Sequence, residues 1–176
     1  MPLIPFEKTS ETSLFKLAID YRHKGQVLEM NYQLKGPTDR LSWPQSSEPA
    51  AHLEGLWNSL CFECFYKPEG GGSYIEWNFS PTGDWWDMGF SGYRIRDSAY
   101  ASSPLKKNIR AQISPREFRL EVAIPLLKLP AQVGWMAILK YRDGTMTHWA
   151  LKHSGPKPDF HHNKSLSHYL DSPEDE

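Results

Sequence analysis

Acidic, amide and aromatic side chains recur at alternate positions of three consecutive segments near the middle of the chain. Successive side chains of a β-strand point to opposite faces, and in each segment we assign the apolar half to the core. The remaining half-set comprises Glu63, Tyr74, Glu76, Asn78, Trp85 and Asp87. Carboxylates and amides match the directional hydroxyl groups of a sugar, and aromatic rings match its C–H faces. The spacing therefore predicts a saccharide-binding face.

The same alternation also fits a sheet face that is merely open to water. Antiparallel sheets commonly pack one face on the core and leave the other face solvated and polar. The Tyr and Trp rings among the acids favour the binding interpretation, because clustered exposed aromatics usually mark an interaction site. Both interpretations stay open at this stage.

Two acids on one face raise a catalytic alternative. Paired carboxyl groups at the right separation hydrolyse glycosides, and Glu63 and Glu76 would form such a pair. The sequence contains no G-x-S-x-G, phosphate loop or dinucleotide fingerprint. A glycoside-acting enzyme that uses Glu63 and Glu76 is therefore the alternative to a non-catalytic module.

The two cysteines, Cys61 and Cys64, form a C-x-x-C motif, which in other settings indicates redox chemistry or zinc. Odd spacing on a strand sends the two thiols to opposite faces, so they cannot bridge without bending the backbone. We predict buried, inert thiols.

Histidines are concentrated near the end of the chain. His161 and His162 follow Asp159 closely, and imidazole with carboxylate can hold a divalent metal. The spacing matches no established metal motif, however. A divalent metal site is therefore the lesser alternative for these three residues.

The elements that must position these residues are strands. Period-two alternation recurs along most of the chain, whereas sustained helical periodicity is hard to find. We predict about nine strands, at residues 14–20, 26–34, 60–67, 73–80, 84–90, 109–114, 117–125, 134–142 and 146–152. A long connection spans residues 36–55, and residues 126–129 are predicted to form one helical turn. This pattern predicts an all-β fold, an antiparallel β-sandwich with long loops.

Length and composition argue against some classes of function, such as nucleic-acid binding and membrane insertion. The 176 residues carry a net charge of -1, are 39% hydrophobic and 13% aromatic, and suit one domain over residues 1–170 with a frayed polar tail at 171–176. A nucleic-acid partner is not expected, because such proteins normally carry a basic excess. No apolar stretch approaches the roughly 20 residues that cross a bilayer, and no secretory signal is visible. We therefore expect a cytoplasmic protein without a membrane partner.

Several runs resemble the bacterial DOMON-like domains, which are related to the family 9 carbohydrate-binding modules. They are Leu56-Trp57-Asn58-Ser59-Leu60-Cys61-Phe62-Glu63-Cys64-Phe65, Tyr74-Ile75-Glu76-Trp77-Asn78-Phe79-Ser80-Pro81-Thr82-Gly83-Asp84-Trp85, Phe90-Ser91-Gly92-Tyr93-Arg94, Trp149-Ala150-Leu151-Lys152-His153 and Gly155-Pro156-Lys157-Pro158-Asp159-Phe160-His161-His162. The resemblance spans most of the chain. It implies a jelly-roll-like β-sandwich with a ligand site on a sheet face or at its rim.

The resemblance also implies roles for particular residues. In sugar-binding relatives an aromatic residue shortly before a strand stacks on the ligand, and an acid within that strand bonds the ligand's hydroxyls; Trp57 and Glu63 match that pair. A second aromatic near the chain's end often completes the site, and Trp149 is the candidate. The resembling run at residues 155–162 is centred on Asp159, His161 and His162, which implies that these residues belong to the ligand pocket. Some of the group are associated with the cell-wall enzyme MurB, which implies such an enzyme as a partner. Other DOMON relatives bind haem through Met and His.

These observations predict a non-catalytic module that binds a small molecule, a saccharide or cell-wall sugar. The expected ligand-binding residues are Trp57, Glu63, Glu76, Asn78, Trp85, Arg94, Trp149, Asp159, His161 and His162. No cofactor is expected. A haem-binding module and a protein-interaction domain are the further alternatives, and the sequence leaves the oligomeric state and the ligand's identity open.

Overall fold

β-Strands are the main secondary structure of the described part of the chain. The computed structural model describes residues 1–46, 48–102, 105, 108–125 and 128–171. These described residues form twelve strands: β1 (Pro2–Pro5), β2 (Lys16–Lys24), β3 (Val27–Lys35), β4 (Cys61–Pro68), β5 (Tyr74–Phe79), β6 (Trp85–Gly92), β7 (Ile95–Arg96), β8 (Ile109–Ile113), β9 (Glu117–Pro125), β10 (Ala131–Lys140), β11 (Met146–Ala150) and β12 (His168–Leu170). The helical segments among them are single 3₁₀ turns at Thr12–Leu14, Thr38–Arg40, Leu56–Asn58 and Asn163–Ser165. None of these segments is long and apolar enough to span a bilayer.

The strands pair antiparallel in the order β7-β6-β5-β4-β10-β11-β1-β2-β3-β9-β8, with β12 beside the start of β10. Strand β1 joins two layers, because Pro2 and Leu3 pair with β2 whereas Ile4 and Pro5 pair with β11. We call β2, β3, β9 and β8 the first sheet, and β7, β6, β5, β4, β10, β11 and β12 the second sheet. The predicted all-β, antiparallel sandwich-like class is confirmed.

The core lies between the two sheets. In β3 the alternate residues Leu28, Met30, Tyr32 and Leu34 are all at most 2% exposed. They belong to one hydrophobic cluster with inward residues of both sheets. Polar contacts also cross the gap: for example, the Tyr32 hydroxyl donates to the carbonyl oxygen of Glu63 at 2.7 Å, and a tryptophan N–H of β10 reaches the sulfur of Met30 at 3.0 Å. The core therefore fixes the position of the second sheet relative to the first sheet.

Three observed strands were absent from the nine predicted ones. β7 and β12 contain two and three residues, and β1 begins and ends with proline. Segments this short carry too few positions for alternation to be read, and prolines disfavour a strand except at an edge. The predicted helical turn at 126–129 and the predicted frayed tail at 171–176 both lie partly outside the described residues.

The face prediction for β6 was wrong. Cross-strand partners share a face, and the register pairs Trp85 with Phe79 and Trp86 with Asn78. Trp85 therefore belongs to the core between the sheets, whereas Trp86 lies on the outer face. The more apolar half of the strand, with Trp86, Met88 and Phe90, faces outward, where Phe90 and Met88 pack in a second hydrophobic cluster, so hydrophobicity alone indicates the wrong side.

Asp87 is also on the inner side, contrary to its predicted place beside the acids. Its carboxylate is 1% exposed. It accepts hydrogen bonds from the hydroxyl groups of Tyr100, at 2.7 Å, and Ser102, and it lies 3.0 Å from the His52 imidazole. These loop partners compensate the buried charge.

Candidate functional site

The outer face of the second sheet is covered by protein rather than open to water. It carries its own hydrophobic cluster, to which the strands contribute Cys61, Phe65, Tyr74, Phe90, Met136, Ile138 and Ala150. The C-terminal segment packs over this face through Phe160 and Leu166. We call this segment the C-terminal cover. It is stabilised internally by the Ser165 hydroxyl, which donates to the carbonyl oxygen of Asp159 at 2.9 Å. Polar groups on this face are consequently enclosed.

A cleft of about 410 Å³ opens between this face and the C-terminal cover. Its walls combine two acids, two arginines, two histidines and a majority of apolar and aromatic residues. They are Trp57, Glu63, Phe65, Glu76, Trp86, Phe90, Arg94, Arg96, Ile138, His148, Pro158, Phe160 and His161. Small-molecule sites are typically concave and mostly apolar, with a few convergent polar groups, and this cleft has that composition.

Glu63 lies on the floor of the cleft. It is 3% exposed, and its Oε1 is 3.5 Å from the thiol sulfur of Cys61. Burial raises the pKa of Glu63 well above its usual value, and the neighbouring Glu76 raises it further, against a smaller opposing effect of the Cys61 hydrogen bond. The protonated form is therefore favoured, so Glu63 can donate a hydrogen bond as well as accept one.

Glu76 lies on the adjacent strand, and protein groups face both of its oxygens. The Asn78 side-chain amide donates to Oε1 at 2.7 Å, and the Nε2 atom of His161 is 3.5 Å from Oε2. Burial raises the pKa of Glu76 to about 7, although the Asn78 hydrogen bond and the charges of Arg94 and Arg96 act in the opposite direction. Glu76 is thus fixed in position and changes charge near neutral pH.

His161 connects the C-terminal cover to the floor. The backbone N–H of Arg94 donates to the Tyr74 hydroxyl at 3.1 Å, and that hydroxyl lies 2.8 Å from Nδ1 of His161. If the hydroxyl donates to Nδ1, the ring proton is on Nε2, facing Glu76; we assign this tautomer from the hydrogen-bond pattern. Burial lowers the pKa of His161 to about 4, and the charge of Arg94 lowers it further, against Asp159. The imidazole is therefore neutral at pH 7.

Arg94 and Asp159 form the rim. Their side chains pair at 3.0 Å, and the Tyr93 hydroxyl donates to the other Asp159 oxygen at 2.6 Å. The pKa of Asp159 is lowered, because the hydrogen bonds from Tyr93 and Arg94 outweigh the effect of burial. Among the described residues Arg94 is the one non-glycine residue with a positive φ, at 56°. Such backbone is uncommon for a residue with a side chain and is often found at functional sites.

Aromatic rings line the other wall. Trp57, in the 3₁₀ turn before β4, contacts Trp86 edge-on, with ring centroids 4.9 Å apart. The guanidinium carbon of Arg96 lies 5.4 Å from the Trp86 ring centre. Because Trp86 is only 3% exposed and Trp57 is half-buried, Trp57 offers the more accessible indole.

The structure brings most, but not all, of the predicted site residues together. Trp57, Glu63, Glu76, Arg94 and His161 line the cleft. Asn78 lies directly behind Glu76 and Asp159 behind Arg94, so each holds a lining residue through the contacts given above.

Three predicted residues lie elsewhere. Trp85 and Trp149 are buried in the core between the sheets, where the Trp149 N–H donates to the Thr147 hydroxyl at 2.9 Å. The inward turn of Trp149 follows from its strand, in which the neighbouring His148 takes the cleft side. His162 caps the 3₁₀ turn that follows it, its Nδ1 accepting from the backbone N–H of Lys164 at 3.1 Å.

Sequence reasoning missed several lining residues, among them Trp86, Arg96 and Phe160. Arg96 belongs to a strand too short to predict, and Phe160 reaches the cleft only because the C-terminal segment folds back over the sheet. A signal was available for Phe160, since it lies between Asp159 and His161, which were both predicted.

The C-x-x-C prediction is confirmed in its geometry. Cys61 packs in the outer cluster and Cys64 in the core between the sheets, and both thiols are buried and unpaired. Among the described residues no group of three or more His, Cys, Asp or Glu side chains is arranged to hold a metal ion.

Comparison with known proteins gives one structural likeness. No protein-family model matches the chain, and no curated protein sequence matches it. The chain is similar in structure to a "putative carbohydrate-binding protein" from Bacteroides uniformis, with 15% identity and a TM-score of 0.62. The similarity covers 93% of this chain and 81% of that one. At this identity the likeness shows a shared β-sandwich fold.

Proposed function

We propose that the chain is a non-catalytic module that binds a saccharide in the cleft of the second sheet. The observation that supports this most strongly is the enclosure of Glu63 and Glu76 beside Trp57 in one concave site. A sugar needs both kinds of group, since its hydroxyls require directional partners and its C–H faces require a flat apolar surface. The structural neighbour described above is consistent with this class of ligand.

Within this proposal the accessible groups have separate tasks. Trp57 stacks on the sugar ring, and Glu63 and Arg94 bond its hydroxyls. Asn78 and Asp159 act indirectly, because they hold Glu76 and Arg94 in place. Trp85, Trp149 and His162 are left out of the proposed contacts because they lie away from the cleft.

The DOMON-like relationship is part of the proposal. It is supported by the β-sandwich and by Trp57, which lies just before β4, and Glu63, which lies within β4, in the order that the resemblance implies. The single-domain organisation, the cytoplasmic location, the cell-wall enzyme partner and the haem-binding and protein-interaction alternatives stay predictions.

A glycoside-acting enzyme is the second candidate, because both acids line one cleft and their pKa values are raised to different extents. Acid and base roles are often assigned to such pairs. Against this, both Glu76 oxygens already face protein groups, Asn78 and His161. A general base or nucleophile needs an oxygen free to reach water or the sugar. The binding function is therefore preferred.

Calorimetric titration of a glycan panel, neutral and charged, tests the proposal. We expect modest affinity, because stacking adds only about 0.5–1.5 kcal/mol beyond area burial in protein aromatic pairs. Trp57→Ala and Glu63→Ala should each weaken binding of any glycan found. Arg22→Ala, on the outer face of the first sheet, is the control and should leave binding unchanged.

Binding that survives Trp57→Ala and Glu63→Ala unchanged would refute the site. A panel without any binder would refute the saccharide function. Release of sugar from an aryl glycoside, lost in Glu63→Gln and Glu76→Gln, would instead establish the enzyme.

A further inference from the structure

Two arginines lie at the same end of the cleft, where the second sheet ends. Arg94 lies in the short turn between β6 and β7, and Arg96 belongs to the edge strand β7 and pairs with Phe90 of the outer face. Both line the cleft. Their side chains are 52% and 49% exposed, so they are accessible to a ligand.

Each arginine is held from outside the cleft and keeps donors to spare. Asp159 and Tyr93 orient Arg94, with Tyr93 accepting from its Nε at 3.3 Å. Glu54 bonds one Nη atom of Arg96 at 2.5 Å while the guanidinium lies over Trp86. A guanidinium has five N–H donors, and most of these have no partner among the described residues. Two oriented guanidinium groups with unused N–H donors are suited to binding a planar anion such as a carboxylate.

We infer that the cleft selects an acidic saccharide, whose carboxylate binds Arg94 and Arg96 while its ring lies over the floor beside Trp57. This inference rests on the proposed saccharide function and specifies its ligand class. The two arginines bind the carboxylate end of the ligand, and Glu63 and the aromatic wall contact the rest of the sugar.

The charge of the floor is compatible with an anion. Two ionised carboxylates beside a ligand carboxylate would repel it. Burial instead raises the pKa of Glu63 well above its usual value and that of Glu76 to about 7, which favours the uncharged form of each carboxyl group and weakens this repulsion. The anionic partners Asp159 and Glu54 lie outside the lining and serve to fix the arginines.

A matched trio of small glycosides provides the test. Methyl β-glucuronide, methyl β-glucoside and methyl β-glucosaminide would be titrated into the full chain at pH 6.5 and followed by NMR. We expect the glucuronide to bind about tenfold tighter than the glucoside, a factor that corresponds to about 1.4 kcal/mol. In Arg96→Gln and in Arg94→Gln this ratio should fall towards one, whereas Arg22→Gln should leave it unchanged.

Denaturation of each variant checks that it is folded, and Arg94→Lys gives a second test at the rim, since it keeps the charge but loses the planar fork. Equal affinity for the glucuronide and the glucoside, or a preference that persists in both glutamine variants, would overturn the inference while leaving the saccharide function standing. Tighter binding of the glucosaminide would overturn it in favour of a cationic sugar held by the acids. If none of the three binds, this inference fails, and the glycan panel decides separately whether the saccharide function fails too.

Discussion

The outer faces of the two sheets share one sequence pattern but differ in environment. The first sheet carries a groove of about 390 Å³ lined in part by Asp20, Arg22, Glu29, Asn31 and Arg110, similar in volume to the cleft of the second sheet. In the groove Arg22 and Glu29 pair loosely at 3.9 Å, with 85% and 47% of their side chains exposed. In the cleft the two glutamates are buried.

The cause of the difference is the cover. Nothing among the described residues packs over the first sheet's outer face as the segment with Phe160 and Leu166 packs over the second. Water therefore solvates one set of charges, and protein encloses the other. The volumes of the groove and the cleft do not distinguish the two faces. A polar strand face becomes a candidate site when the tertiary structure encloses it and adds aromatic walls.

The largest expected effect comes from placing the same new charge on each face. Glu63→Lys should lower the free energy of unfolding by about 3–5 kcal/mol, because an unpaired buried charge is costly. Glu29→Lys should change it by less than about 1 kcal/mol, because exposed ion pairs contribute little. Urea denaturation of both variants measures the difference. Equal losses would mean that the floor is as open to water as the groove.

A smaller effect is expected in the dependence of stability on pH. The folded-state pKa of Glu63 is raised, so its contribution is fully present below the ordinary glutamate pKa and is lost as pH rises towards the folded-state value. Glu63→Gln should therefore reduce the stability that is lost as pH rises above the ordinary glutamate pKa.

The titration of His161 does not obscure this comparison. The pKa of His161 is lowered to about 4, so its contribution to stability grows between about pH 4 and the ordinary histidine value. That contribution is common to both proteins and cancels when the variant is compared with the parent. Glu121→Gln, at an exposed position of the first sheet, is the control. A pH profile altered equally by both substitutions would contradict the enclosure of Glu63.

The smallest expected effect comes from removing one hydroxyl on each sheet. Tyr74→Phe takes a partner from His161 and from the backbone N–H of Arg94, and Tyr74 is 4% exposed. Its loss should cost about 1–2 kcal/mol, because buried polar groups are left unpaired. Tyr21→Phe removes a similar contact, to His168 at 2.7 Å, at a half-exposed position where water can substitute, and should cost less than about 1 kcal/mol. Thermal melts of both variants in parallel test this order.

Much of the architecture could be predicted because alternation is a local property. β3 and β9 expose one polar half and bury one apolar half, and their ranges match the predicted strands within one residue at each end. Glu63, Glu76 and Asn78 could be placed on one face for the same reason. β6 could not be oriented in this way, because tryptophan occupies both of its faces, and only its pairing with β5 assigns Trp85 to the core.

The sequence by itself determined that the chain forms an antiparallel β-sandwich and that Glu63 and Glu76 share a sheet face, since strand periodicity follows from backbone geometry alone. The tertiary structure decided which tryptophans face the cleft, that Arg96 joins Arg94 at its end, and that Phe160 and His161 close over it. These outcomes depend on contacts between residues far apart in the chain. The resulting exclusion of water, which raises the pKa of each glutamate, is a property of the assembled fold rather than of any one segment.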